Sequence, residues 1–136
     1  MREVTVDRFV PARPAAIERA LSPADVVEYE GSFRVLDVED DGEATLVTAG
    51  ASGIGVTLRF EPHERGFRYE QVEDAGPFDA MWTELDWKPE NEGARVRARS
   101  GVSLGLPAAA VTDRVAAWKR RGELDRALDA LAADLG

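Results

Sequence analysis

Few side chains in this sequence offer chemistry, and those that do stand in strand-like runs or turns. Cysteine is absent and His63 is the lone histidine, so thiol nucleophiles, thiolate metal sites and disulfides are excluded. His63 sits in Pro62-His63-Glu64-Arg65-Gly66, a turn composition with no dyad partner beside it, and reads as a solvated turn residue rather than a general base. Tyr69, Glu73 and Glu84 are the candidates for an acid or base near an apolar interior, and Glu84 falls on the outward side of its strand. Tyr69 and Gln71, two apart on one strand face, could instead anchor an oxygen of a bound molecule. Gly50, Gly53 and Gly55 imitate a phosphate loop, but strands flank them and no helix follows, which argues against a nucleotide site. Asp40-Asp41-Gly42-Glu43 supplies too few oxygens for a dedicated calcium loop and reads as a hairpin turn. No metal and no cofactor are expected, and no catalytic residue is assigned.

The elements that must position these residues follow from periodicity and punctuation. Val4, Val6, Phe9 and Val10 suit a half-buried first strand, stopped by Pro11 and Pro14. Pro14 opens a short helix through Leu21. Ser22 then caps a second helix with Pro23 in its first position, ending near Gly31. Strands are expected over 33–39, 44–49, 54–61, 67–74 and 78–88, then again after the turn at Pro89-Glu90-Asn91-Glu92-Gly93. Asp41-Gly42 marks a tight primed hairpin turn between the first two of these. Ile54, Val56, Leu58 and Phe60 alternate with polar residues and define an inward face.

Cross-strand register can be read from which pairing keeps the faces consistent. With Trp87 opposite Val96, Leu85 meets Ala98, Thr83 meets Ser100 and Met81 meets Val102 on one mostly apolar side. The other side pairs Lys88, Asp86 and Glu84 with Arg95, Arg97 and Arg99, and leaves Trp82 near Gly101 without an explanation. Pairing Phe60 with Phe67 sets Leu58 against Tyr69 and Val56 against Gln71, so that both polar groups point inward.

After Pro107 an alanine- and leucine-rich helix extends to Leu135. Ala110, Ala117, Leu124, Leu128, Leu131 and Leu135 share one stripe, and Val111, Val115 and Trp118 form a second apolar face. Two such faces call for a kink near Arg121-Gly122 or for something covering one of them. A pocket between helix and sheet would use both. The expected ligand-binding set is therefore Tyr69, Gln71, Met81, Leu85, Trp87, Val111 and Trp118.

Composition bounds the partners. The 136 residues fit a single domain spanning 1–136. With 26 acidic against 17 basic residues the formal net charge is −9, which disfavours nucleic acid and leaves the Arg95, Arg97, Arg99 row too neutralised to reverse that. Lys88 and Lys119 are the sole lysines, and such acid-rich, lysine-poor composition resembles that of salt-loving archaea. No apolar leader or bilayer-length stretch is read in the sequence, so a cytoplasmic location without stable membrane insertion is expected. Protein partners are not indicated.

Phe9-Val10-Pro11-Ala12, the helix from Ile17 to Leu21 and Ser22-Pro23, followed by the strand series and the final helix, resemble the SRPBCC or START-like helix-grip superfamily. That superfamily includes START lipid-transfer domains, birch-pollen-allergen-like proteins and polyketide cyclase or dehydrase-like proteins. The resemblance spans essentially the whole chain. It implies an α+β fold: a seven-stranded curved antiparallel sheet, two short helices after strand one, and a long C-terminal helix over a cavity. It also implies binding or carriage of a small hydrophobic ligand, lipid-, quinone- or polyketide-like, with a cyclase or dehydratase-like enzyme as the alternative. A protein-interaction module acting through an exposed Trp82 is a third expectation. Fold likeness by itself transfers none of these activities.

Overall fold

The computed structural model describes residues 1–135, the side chain of Ala109 excepted; Gly136, the last residue of the expected domain, lies outside the described residues. The chain runs β1 (Arg2–Val10), α1 (Pro14–Ala20), α2 (Pro23–Glu30), β2 (Arg34–Asp40), β3 (Thr45–Ala51), β4 (Ile54–Pro62), β5 (Gly66–Gln71), β6 (Ala80–Glu90), β7 (Gly93–Ser103) and α3 (Ala109–Leu135). All neighbouring strands are antiparallel, in the order β1-β7-β6-β5-β4-β3-β2.

The punctuation in the sequence acts locally as its chemistry requires. Pro14 occupies the first position of α1, where its missing N–H is not needed. Ser22 and Asp25 cap α2 reciprocally: the Asp25 N–H donates to Ser22 Oγ at 3.2 Å and the Ser22 N–H to Asp25 Oδ2 at 3.0 Å. Gly31, at φ 80°, then ends α2 in a left-handed conformation. The Asp41-Gly42 turn differs from expectation. The Asp41 N–H bonds to the Ala44 carbonyl at 3.0 Å, so the turn centres on Gly42-Glu43, and of its residues only Gly42 takes positive φ; the Asp40 and Asp41 carboxylates accept the Gly42 and Ala44 N–H groups at 2.9 and 3.0 Å. A glycine of positive φ at the first central position meets the need of a two-residue hairpin turn with a single left-handed residue.

The β6–β7 register is the expected one, residue for residue: Trp87 lies opposite Val96, Leu85 opposite Ala98, Thr83 opposite Ser100 and Met81 opposite Val102. The β4–β5 register is shifted by two from the expected pairing. Phe60 faces Tyr69, Leu58 faces Gln71 and Pro62 faces Phe67, because the turn closed by the His63 N–H and the Gly66 carbonyl at 3.1 Å centres on Glu64-Arg65, one residue later than the expected pairing requires. A two-residue shift preserves which face each side chain takes, so Tyr69 and Gln71 still point inward, and both are buried. Trp82, unexplained in the sequence, lies on the outer face between two guanidinium groups, with Arg68 and Arg99 at 5.2 and 5.1 Å from its ring. Gly101 opposite it has no side chain to obstruct the indole. The exposed β2 edge carries Asp37, Glu39 and Asp40 beside Leu36 and Val38, charges that discourage edge-to-edge pairing.

α3 packs against β1, β7 and α2, burying Ala117, Leu124, Leu128 and Leu131 against the inner face of the sheet. It runs as one 27-residue helix. No described residue covers the expected second face: Val111, Val115 and Trp118 are 65%, 61% and 77% exposed, and Ala110 is exposed as well. The first half of α3 carries its buried stripe on the side opposite Trp118, about 180° away at 100° per residue, where Arg120 stands.

Candidate functional site

Arg120 is the centre of the interior. It is 3% exposed, on the face of α3 that carries Ala117 and Leu124, and all five of its N–H donors have partners. Nε donates to Ser100 Oγ at 3.2 Å; Nη1 donates to Glu30 Oε1 and to Glu123 Oε1, the latter at 3.3 Å; Nη2 donates to Tyr69 Oη at 2.9 Å and Thr83 Oγ1 at 2.8 Å. Tyr69 in turn donates its hydroxyl to Glu30 Oε2 at 2.8 Å. Glu123 also accepts from Ser32 Oγ and from Lys119 Nζ, the latter at 3.0 Å. Two cations, Arg120 and Lys119, thus face two carboxylates, Glu30 and Glu123, as burial of charge demands.

Arg120, Glu123 and Lys119 come from α3, and the other members from separate elements. Glu30 closes α2 on the same face as Val26 and Val27, and Arg126 secures that corner by donating to the Glu30 carbonyl at 3.1 Å. Tyr69 comes from β5, stacked on Phe60 with ring centroids 4.3 Å apart. Thr83 and Ser100 are cross-strand partners with their hydroxyls 2.9 Å apart, and Ser100 donates to the Trp82 carbonyl at 2.8 Å. The network therefore ties α2, α3, β5, β6 and β7 at one point.

Protonation follows from this packing. Burial pushes the Tyr69 hydroxyl up, and the Glu30 carboxylate beside it adds to the rise. Burial alone would lower Arg120 and raise Glu123. The attraction of Glu30, Tyr69 and Glu123 outweighs it for the arginine, holding it above its ordinary range. Arg120, Ser32 and Lys119 outweigh it for Glu123, holding that carboxyl below its ordinary value. At neutral pH these three groups are fixed as phenol, guanidinium and carboxylate.

Space is distributed unevenly around the network. On one side a void of about 10 Å³ lies among Leu21, Val26, Tyr69, Leu85 and Leu128. On the other a void of about 20 Å³ lies among Glu30, Phe33, Leu58, Met81, Arg120 and Glu123. Each has room for about one water molecule. Beyond Phe33, Phe78 and Glu123, which also border the second void, opens a groove of about 300 Å³ along the first half of α3, with Ile54, Leu104, Val115 and Lys119 on its walls.

The expected ligand-binding residues are placed unequally. Tyr69, Met81 and Leu85 border the voids, on the inner side of the sheet. Gln71 is occupied by structure: its amide donates to the Phe78 carbonyl at 2.7 Å and accepts the Phe78 N–H at 3.1 Å, holding the 72–79 connection that forms one groove wall. Trp87 is buried against Phe67, edge to face at 6.0 Å, and its indole N–H has no partner among the described residues. Val111 and Trp118 do not line the interior, because their helical phase turns them to solvent. Glu84 points outward to Arg68 and Arg99, with His63 3.5 Å away, and Glu73 is exposed. Glu30, Arg120 and Glu123 were missed. The usable signal was charged residues in phase with buried apolar ones: Glu30 with Val26 and Val27, and Arg120 and Glu123 with Ala117 and Leu124.

Among the described residues no group of three or more His, Asp or Glu side chains is arranged to hold a metal ion. No helix among them is long and apolar enough to cross a membrane.

No family model matches the sequence, and no curated protein matches it. Solved structures do. The chain is similar to a protein of Thermus thermophilus at 20% identity and a TM-score of 0.68, covering 99% of this chain and 100% of that one. It is similar to the Zhui aromatase/cyclase from Streptomyces sp. R1128 at 14% identity and a TM-score of 0.70, covering 96% and 93%. It is also similar to the di-domain aromatase/cyclase BexL of the BE-7585A biosynthetic pathway at 23% identity and 0.68, covering 98% of this chain and 46% of that one. At these identities the likeness is one of fold: a curved seven-stranded antiparallel sheet gripping a C-terminal helix, the helix-grip fold.

Proposed function

We infer that the protein binds a small hydrophobic molecule, lipid-, quinone- or polyketide-like, in the groove beside the first half of α3. The observation that carries this reading is the groove itself: about 300 Å³, walled mainly by apolar side chains, with buried Glu123 and its partner Lys119 as the polar groups. That is the lower end of the size range of small-molecule sites, and the pairing of apolar walls with a few convergent polar groups is their usual construction. Behind Glu123 the Arg120 network gives the polar groups a rigid backing, which limits the reorganisation cost of binding. The fold shared with aromatase/cyclases is compatible with such a site.

A cyclase or dehydratase activity is the alternative. It would need a group able to exchange a proton near neutral pH while facing the bound molecule. Tyr69 is pushed up, Glu123 is pushed down, and Glu84 points away, so these groups favour holding a ligand over transforming it.

The test is extraction of protein purified without detergent, with mass spectrometry for a stoichiometric apolar compound, followed by titration of that compound or of a fluorescent naphthalene probe. Ala116→Trp, which fills the half-buried groove wall, should abolish binding. Probe affinity unchanged by Ala116→Trp would refute the groove as the site.

A further inference from the structure

The bare face of α3 has a composition that a solvent-facing helix does not need. Val111, Val115 and Trp118 follow one another at i, i+4 and i+7 and are each more than half exposed. At 100° per residue Arg114 and Arg121 flank this stripe on one side and Lys119 on the other. In a molecule of net charge −9, the exposed charges of this half-helix are thus all positive. Past Gly122 the same outer face carries Asp125 and Asp129, with Arg126 beside them.

This order of charge gives α3 no help as a helix. The macrodipole favours acidic residues in the first turn and basic ones in the last, and α3 has neither. Asp134 instead stands near the C-terminal end. The apolar stripe is equally without an internal partner among the described residues. Both features fit an external surface that is apolar at the centre and anionic at its rim.

We propose that the first half of α3 lies on an anionic lipid surface, with Val111, Val115 and Trp118 in the headgroup boundary and Arg114 and Arg121 against the phosphates. A helix with a tryptophan-bearing apolar face and a basic border binds an interface in this way without spanning it. The remaining acidic surface does not prevent contact, since at physiological ionic strength charges beyond about 8 Å are largely screened. The face is also continuous with the groove: Val115 and Lys119 belong to both, and exposed Ile54 and half-buried Leu104 lie along the groove. A groove opening onto a bilayer could exchange an apolar ligand without passing it through water. The surface itself stands on exposure and charge and does not require the ligand reading.

Flotation of the purified protein with vesicles of phosphatidylcholine alone, or mixed with phosphatidylglycerol, tests this. The protein should float with the mixed vesicles, less with neutral ones, and detach as salt rises. Val111→Ser with Trp118→Ser should lower partitioning about tenfold or more, the factor expected from losing burial of one large side chain. Arg114→Gln should lower it about fivefold. These positions are exposed, so the variants should melt as the wild type does. Each variant's affinity for the naphthalene probe, measured without vesicles, separates failure of this surface from failure of the groove. Absence of flotation, equal flotation with neutral and anionic vesicles, or flotation unchanged in the serine variant would overturn the proposal. So would a wild-type dimer that the serine variant converts to monomer, since the face would then belong to a second copy.

Discussion

Removal of the Arg120 guanidinium tests whether the interior is organised as described. Arg120→Met keeps an apolar stem of similar length but leaves Glu30 and Glu123 facing each other without their shared cation, and removes partners from Tyr69, Thr83 and Ser100. Breaking one side of a buried ion pair costs about 3–5 kcal/mol, because the uncompensated charge is what becomes expensive. Against a total stability of about 5–15 kcal/mol for a domain, this is a large fraction. For a chain of 136 residues each kcal/mol corresponds to about 3–5 °C in Tm, so the variant should melt about 10–20 °C lower. The assay is urea unfolding followed by circular dichroism, with Glu30→Leu/Arg120→Met as the second arm. The double variant should regain at least about 1 kcal/mol over Arg120→Met alone, because it removes the orphaned carboxylate at Glu30. A loss below about 1 kcal/mol for Arg120→Met, or no recovery in the double variant, would show that the network does not bear on stability in this way.

Other perturbations follow from the same packing. Glu123 is held below its ordinary value of 4.5 in the folded chain, so its contribution is present above the unfolded pKa and is lost as pH falls through the folded one. Acid unfolding should therefore steepen below about pH 4.5, and Glu123→Gln should flatten that dependence; an identical acid profile in the variant would contradict it. Gly101→Val would drive a side chain into the Trp82 ring, and overpacking of this kind should cost about 1–3 kcal/mol while reddening or quenching Trp82 fluorescence. A net charge of −9 predicts a Tm that climbs with potassium chloride toward molar salt, measured by calorimetry, whereas a salt-indifferent Tm would argue against an acid-adapted surface.

Much of this molecule was legible as a string. The Pro14 and Ser22-Pro23 signals start two helices where the structure has them, Gly31 ends the second, and the alternation from Met81 to Trp87 fixes the β6–β7 register without any contact information. These features are local, or repeat with a period that one face alone can satisfy, and sequence encodes both directly. The apolar stripe at Ala117, Leu124, Leu128 and Leu131 was equally readable.

Tertiary structure decided the rest. Periodicity showed two apolar faces on α3, but only the arrangement of sheet and helix settled that Val111 and Trp118 meet solvent while Arg120 turns inward. In Lys119-Arg120-Arg121 each residue's charge is visible in sequence and its neighbours in space are not. Arg120 is separated from Glu30 by 90 positions, from Tyr69 by 51 and from Thr83 by 37. Partners that distant have no shared local signal. Burial of a charge is decided by the joint presence of everything that neutralises it, and that coincidence exists only once the chain is folded.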